Sequence, residues 1–322
     1  MNDNTAVGLW RRSLVMVAAI CTATVLSFAE NACATTLNDG GTHVADASGP
    51  FDAVTLNAAT TLNVLSGADI LGAAASSFAE HGVYANQNSE VHVFGGSVRG
   101  GPQPGSGYGG FGVYTSHGSI TVDGGFIRGG DNSGGGFGGF GINADFSTVT
   151  INAGTIRGGD RYGNPGFGGF GLVTQGSNVT INGGAIAGGA GFSGGLSMDG
   201  LHLQANSTAR INNGSIGRGG SDSGWSVHVR HTSVLEILGG VFSGPMAIAD
   251  NGVVHVYGTG LNYDGVTLTG TLQSGTPIAM PVSVFNDGQL ILHQVPEPQT
   301  LGLLCVGLVG LLIAGRRSRA RP

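Results

Sequence analysis

Three stretches decide the fold: GYGGFGVYTSHGSITVDGGFIRGGD at residues 107–131, GFGGFGINADFSTVTINAGTIRGGD at 136–160 and GFGGFGLVTQGSNVTINGGAIAGGA at 166–190. They start at Gly107, Gly136 and Gly166, so the period is almost constant. A repeat of about 30 residues marks a solenoid, because one unit cannot bury its apolar side alone and neighbours must stack into a continuous core. Aligned copies place Tyr108, Phe137 and Phe167 in one column, and Phe111, Phe140 and Phe170 in a second. Val122, Ile151 and Ile181 form a third column, and Ile127, Ile156 and Ile186 a fourth. Within a copy, apolar and small polar residues alternate over short runs such as Val149-Thr150-Ile151-Asn152, a two-residue period that specifies strand. Glycine doublets such as Gly124-Gly125 and Gly158-Gly159 separate the runs and supply the positive backbone angles of tight corners. The chain therefore reads as all-β: a parallel β-helix, or β-solenoid, with roughly 29–30 residues per coil. A charge introduced by Phe140→Asp is expected to stand unpaired in its aromatic column and to prevent accumulation.

The pattern continues outward with decay. Val91-His92-Val93 and Leu62-Asn63-Val64 precede the clean copies at the same spacing, Arg210-Ile211-Asn212 follows them, and Leu235-Glu236-Ile237 comes after a shortened step. About seven coils at an inter-strand distance of about 4.8 Å make a rod of roughly 35 Å. Atypical outer repeats suit a stack whose ends need capping. Residues 35–252 are thus assigned to the repeats and 253–294 to a β cap. In the cap, Asn286-Asp287-Gly288 lies between Val282-Ser283-Val284-Phe285 and Gln289-Leu290-Ile291-Leu292 and carries the turn signal of a β-hairpin.

The full chain has 322 residues, 63 of them glycine, and only 10% are charged. The ten prolines and the lack of a three-residue glycine period exclude collagen. Residues 1–34 read as a signal peptide, with Arg11-Arg12 as the positive flank, an apolar stretch over 13–29 and cleavage at Ala32-Cys33-Ala34. Trp10 stands where a twin-arginine signal wants Ser or Thr, so the Sec machinery is the expected export partner. Cys21, Cys33 and Cys305 all lie in the two ends, so the body contains no disulfide and no thiolate site. There is no lysine. Six of the 13 arginines and three of the 19 acids lie in the ends, leaving seven against 16 and a body charge of −9. Such a surface excludes nucleic acid as a partner.

The tail, residues 295–322, places Pro296-Glu297-Pro298 ahead of an apolar run over 301–315 and the basic cluster Arg316-Arg317-Ser318-Arg319-Ala320-Arg321. The run reads as a short transmembrane helix whose basic flank stays cytoplasmic. This order resembles the PEP-CTERM sorting signal of Gram-negative bacteria. The resemblance implies recognition of Pro296, Glu297 and Pro298 by an exosortase, transient residence in the inner membrane with Arg316 and Arg317 inside, and delivery to the cell surface or exopolysaccharide matrix. Residues 253–292 also resemble stretches that precede such signals.

Inside the body, three GxGxxG matches begin at Gly107, Gly136 and Gly166 in register with no helix behind them, and read as repeat corners rather than nucleotide sites. Thr121, Thr150 and Thr180 form a stripe too narrow for the flat array of an ice-binding face. Asp123, Asn152, Asn182 and Asn212 read as a hydrogen-bonded ladder. Arg99, Arg128 and Arg157 recur at the coil period and are the candidate contact for an acidic exopolysaccharide, while Asp131 and Asp160, three positions after the last two, are placed to neutralise them. A polysaccharide lyase or hydrolase is the rival reading, and an ice-binding or adhesin-like surface protein a further one. Carbohydrate cleavage needs clustered carboxylates or a calcium cluster, whereas the acids here are dispersed. His228 and His231 would point to opposite faces of a strand, so no metal pair is read from them. The expectation is a non-enzymatic surface or matrix protein without catalytic residues, metal or cofactor.

Overall fold

The computed structural model describes residues 24–25, 34–75, 77–163, 166–192, 196–220 and 223–296. Each full-length coil consists of three short strands and an arm. Val113–Ser116 runs along face 1, Ser119–Val122 along face 2 and Phe126–Arg128 along face 3. Residues 129–141 then form an arm that returns the chain to face 1 at Ile142–Asp145. Successive coils pair in parallel and in register, so Val113 meets Ile142, Ile120 meets Val149 and Ile127 meets Ile156. Faces 1 and 2 belong to one 22-stranded sheet and face 3 is an eight-stranded sheet. No helix occurs among the described residues.

Alternation within the strands decides what lies inside. Val122, Ile151, Ile181, Ile211 and Ile237 stack on face 2, and Ile70, Val98, Ile127, Ile156 and Ile186 on face 3, all buried. Full burial of such a side chain contributes roughly 1.5–3 kcal/mol, and a slip of one residue would turn every one of them outward. The two aromatic columns are different. Phe111, Phe140 and Phe170 are only half-buried and Tyr108 is exposed, so the rings stack along the outside of the rod. An aspartate at Phe140 would therefore reach solvent, which weakens the expectation that it prevents accumulation.

The arms explain the glycine content. Backbone hydrogen bonds zigzag from Gly110 N–H to Gly101, Gly130 to Gly110, Gly139 to Gly130 and Gly159 to Gly139, at 2.7–2.9 Å. A Cβ on Gly139 would lie 1.9 Å from the carbonyl oxygen of Gly110. Only glycine allows backbone to pack on backbone this closely. At the corners between faces 2 and 3 the need is conformational instead, as at Gly125 with φ of 78°.

The outer coils are shorter. Face 1 strands begin at Thr35, Val54 and Val83, so the first step is the shorter of the two and lacks the arm that the second contains. At the far end the coils run on through residues 253–294. Val253–Tyr263 pairs in parallel with both Val234–Ile237 and Gln289–Gln294, while Thr267–Leu272 makes an antiparallel excursion between Val253–Tyr263 and Pro277–Val284. The hairpin expected around Asn286-Asp287-Gly288 is not formed. Pro277–Val284 pairs with Met246–Ile248 on face 1, and Gln289–Gln294 pairs on face 2. Asn286 and Asp287 have φ of 50° and 62°, as Gln87 and Asn88 have 53° and 63° at an ordinary corner. A left-handed residue pair serves a solenoid corner as well as a type I′ turn, so this sequence signal does not separate the two.

Candidate functional site

Arg99, Arg128 and Arg157 lie in one register at the ends of face 3 strands. Each has an acid. Arg99 pairs with Asp69 at 3.0 Å, Arg128 with Asp131 at 2.6 Å and Asp160 at 3.0 Å, and Arg157 with Asp160 at 2.7 Å. The carboxylates also join coils, since Asp131 accepts the Asp160 N–H at 2.7 Å and Asp160 the Ala190 N–H at 2.8 Å. Asp160 is buried. The stripe is thus a neutralised ladder, and an acidic polymer approaching it must compete with Asp69, Asp131 and Asp160.

Other columns have plain structural roles. Asn152 donates to Asp123, Asn182 to Asn152 and Asn212 to Asn182, each at 2.7–2.8 Å. The threonine stripe is bounded by His92 on one side and Arg210 on the other.

Ring columns decorate the arm side of face 1. Phe78, Tyr108, Phe137 and Phe167 stack almost parallel with centroids 4.8–5.7 Å apart. His81 lies on Phe111 and Phe111 on Phe140, both at 4.6 Å, and Tyr84 lies on Tyr114 at 5.1 Å. Because the preceding coil lacks an arm, Phe78, His81 and Tyr84 begin their columns at a ledge. They line an open groove of about 380 Å³ together with Ala34, Ala53, Val54, Thr55, Ala79 and Glu80. The Phe111 N–H donates to His81 Nδ1 at 3.0 Å, and burial pushes the His81 pKa down to about 4. His81 is therefore neutral and has only its other nitrogen to donate into the groove.

At the other end of the rings a second cluster appears. His202 and His228 are register partners on face 1, and Asp199 stands three positions before His202. Asp199 Oδ2 meets His202 Nδ1 at 2.8 Å and His228 Nδ1 at 3.2 Å. Its Oδ1 accepts the Trp225 N–H at 2.8 Å. Asp199 and His202 are buried, and the buried Nε2 of His228 has no partner. Burial raises the Asp199 pKa, but hydrogen bonds from His202 and His228 outweigh it and hold the carboxyl below its ordinary value. Burial also pushes the His202 pKa down, against the pull of Asp199. The residue considered beside His228 in the sequence, His231, instead sits at a corner with its Nε2 3.5 Å from Asp250. Sequence reading missed the cluster, although the same shortened step that aligns Ile211 with Ile237 also aligns His202 with His228.

Of the expected processing residues, Ala34 and Pro296 are exposed. Ala32, Glu297, Pro298, Arg316, Arg317 and the apolar run 301–315 lie outside the described residues. Comparison of the tail with known families settles its character. Residues 294–319 match the PEP-CTERM protein-sorting motif. The PEP-CTERM motif indicates an exported protein that an exosortase processes at the membrane. No curated protein and no solved structure is similar enough to the chain to count as a relative.

Proposed function

We propose that this chain is a noncatalytic surface or extracellular-matrix protein, exported by the Sec machinery, sorted by an exosortase and held among exopolysaccharide chains by its solenoid body. The observation that carries the reading is the union of a sorting tail with a rod whose outward columns repeat coil by coil. A polymer with its own repeat can meet such a rod at many equivalent places, so weak contacts add by multivalency. Two places suit sugars. The ladder of Arg99, Arg128 and Arg157 offers guanidinium forks to carboxylates or sulfates once its acids are displaced. The ledge offers the outer faces of Phe78, His81 and Tyr84, with the Glu80 carboxylate beside them.

The placement of the acids supports a noncatalytic role. Asp131 and Asp160 stand close together, yet both are committed to arginines and to backbone N–H groups. Asp123 is answered by asparagine in the next coils. Incubating the exported protein with a panel of extracellular polysaccharides, followed by product analysis, tests the reading. Retention on at least one polymer with no new sugar products is expected. Release of unsaturated or shortened sugars would make the protein an enzyme, and retention on none would remove the glycan contact.

A further inference from the structure

The Asp199 cluster lies where the solenoid changes. Upstream of it rings stack between full-length coils, and the step is 30 residues, as between Asn178 and Thr208. Downstream the step falls to 26 residues, as between Arg210 and Glu236. Asp199 occupies the position that Phe170 holds one coil earlier: Gly171 N–H bonds to the Asp199 carbonyl as Gly141 N–H bonds to that of Phe170. At this junction a carboxylate takes the next position of the Phe170 column, and the rings of His202 and His228 stand beside it.

We propose that Asp199, His202 and His228 form a binding site for one divalent transition-metal ion of the zinc class, which ties the coil of Asp199 and His202 to the coil of His228. One ligand atom from each of Asp199, His202 and His228 lies within 4.8 Å of the others. A tetrahedral ion with bonds of about 2.0–2.1 Å holds its ligand atoms about 3.3 Å apart. The contacts of 2.8 and 3.2 Å around Oδ2 already approach that spacing. An ion entering here takes the place of the two Nδ1 protons, each neutral ring then carries its proton on Nε2 instead, and only small side-chain shifts are needed. Without it, one buried carboxylate oxygen must accept both N–H groups. A dication satisfies all three ligand atoms and turns the charge of the site from −1 to +1, with Asp199 as its one anionic ligand. The buried Nε2 of His228, without a partner in the structure, becomes the protonated nitrogen of that ring when the ion is bound.

The surroundings hold these ligands in place. The Trp225 N–H fixes Asp199 through its other oxygen, the His202 ring packs 4.8 Å from Phe170, and the Trp225 ring lies 6.3 Å from His228. Outer contacts of this kind orient metal ligands. Two imidazoles and one carboxylate suit zinc, nickel or copper, whereas magnesium and calcium require oxygen shells. The three ligands leave a fourth position for water.

The test uses the exported protein stripped with a chelator and titrated calorimetrically with zinc chloride or magnesium chloride. One equivalent of zinc should bind saturably and raise the thermal midpoint, while magnesium does neither. Cobalt(II) should give the intense visible bands of a tetrahedral site, a readout that needs no variant. Asp199 and His202 are buried, so the variant is placed at the more accessible His228. His228→Gln should weaken zinc binding at least tenfold with an unchanged circular dichroism spectrum. His255→Gln, which alters the separate pair in which His255 Nδ1 and His293 Nε2 lie 2.9 Å apart, should leave zinc binding intact. The proposal is overturned if the parent takes up no zinc saturably, if His228→Gln binds as the parent does, or if His255→Gln abolishes uptake.

Discussion

Replacing Asp160 by alanine probes both the stability of the rod and the state of its arginine stripe. In the folded chain the Asp160 carboxylate accepts the Ala190 N–H at 2.8 Å, Arg157 at 2.7 Å and Arg128 at 3.0 Å. Loss of the charged acceptor leaves the Ala190 N–H without its partner, and hydrogen bonds to charged groups contribute about 1.5–3 kcal/mol. The ion pairs add less: Asp160 is 7% exposed, but its partners Arg157 and Arg128 are 35% and 21% exposed, and pairs that reach solvent contribute about 0–1 kcal/mol. Arg128 keeps Asp131. The total is about 1.5–4 kcal/mol, or a fall in thermal midpoint of roughly 3–16 °C for a body of this size. Asp160→Asn retains an oxygen for Ala190 and removes the charge, so it should fall between alanine and the parent. Arg99→Gln should lose no more than about 1 kcal/mol, since the two side chains of that pair are 44% and 42% exposed.

Thermal melts of the purified body, followed by circular dichroism, give the order directly. The same variants carry a binding consequence. Asp160→Ala deprives Arg157 of its acid, so retention on an acidic polysaccharide should rise and become more sensitive to salt even as stability falls. A melt indistinguishable from the parent would show that Asp160 does not hold the coils together. A melt lowered as expected with unchanged retention would show that the arginine stripe does not meet the polymer.

Three further outcomes are expected. His81 has its pKa pushed down to about 4 from an unfolded value near 6.5. Its contribution is complete above pH 6.5, declines as the pH falls toward 4 because only the unfolded chain takes the proton, and amounts to at most about 3 kcal/mol. His81→Phe, which copies Phe111 of the next coil, should flatten that part of the profile in acid titrations, and an unchanged profile would refute the assignment. Gly139→Val should abolish accumulation because its Cβ meets the Gly110 oxygen at 1.9 Å, whereas Gly135→Ala, whose nearest atom is Ser106 Cβ at 3.9 Å, should accumulate normally. Equal yields would mean that the arms are not packed as described. Alanines at Pro296, Glu297 and Pro298 should leave the uncut chain in the inner membrane, and mass spectrometry of the parent's surface fraction should lack residues 301–315; recovering that segment there would show a retained anchor instead.

The fold was legible because its determinants are periodic. Val149-Thr150-Ile151 declares a strand locally, and recurrence of the same pattern at Ile120-Thr121-Val122 and Val179-Thr180-Ile181 declares the stacking partners. The position of Phe140 was not legible. An apolar column at coil spacing fits either side of the wall, and only the close packing of glycine backbone on glycine backbone in the arm leaves the rings outside. The Asn286-Asp287 turn misled for a related reason, since positive φ is a property of the residue pair and not of the strands it joins. Pairing of Arg128 with Asp131 could be read from a spacing of three, whereas the tie from Arg128 to Asp160 of the next coil became visible only in three dimensions.

Periodicity also limits where a distinctive site can stand. A residue repeated in every coil meets copies of itself, so it forms a ladder: asparagine on asparagine, ring on ring, arginine separated by its acids. A cluster of unlike groups needs a place where the repeat fails. The chain has such places at both ends of the ring columns. At the first, the step lengthens between the strand starts Thr35, Val54 and Val83, and the new arm leaves the outer faces of Phe78, His81 and Tyr84 at the groove. At the second, the step shortens between the strand starts Asn178, Thr208 and Val234, and Asp199 enters a ring position beside His202 and His228. Unlike side chains meet at both places because neighbouring coils there have different lengths. In a solenoid, the irregular coils are therefore where specific chemistry is to be sought, and the regular ones supply the rod that displays it.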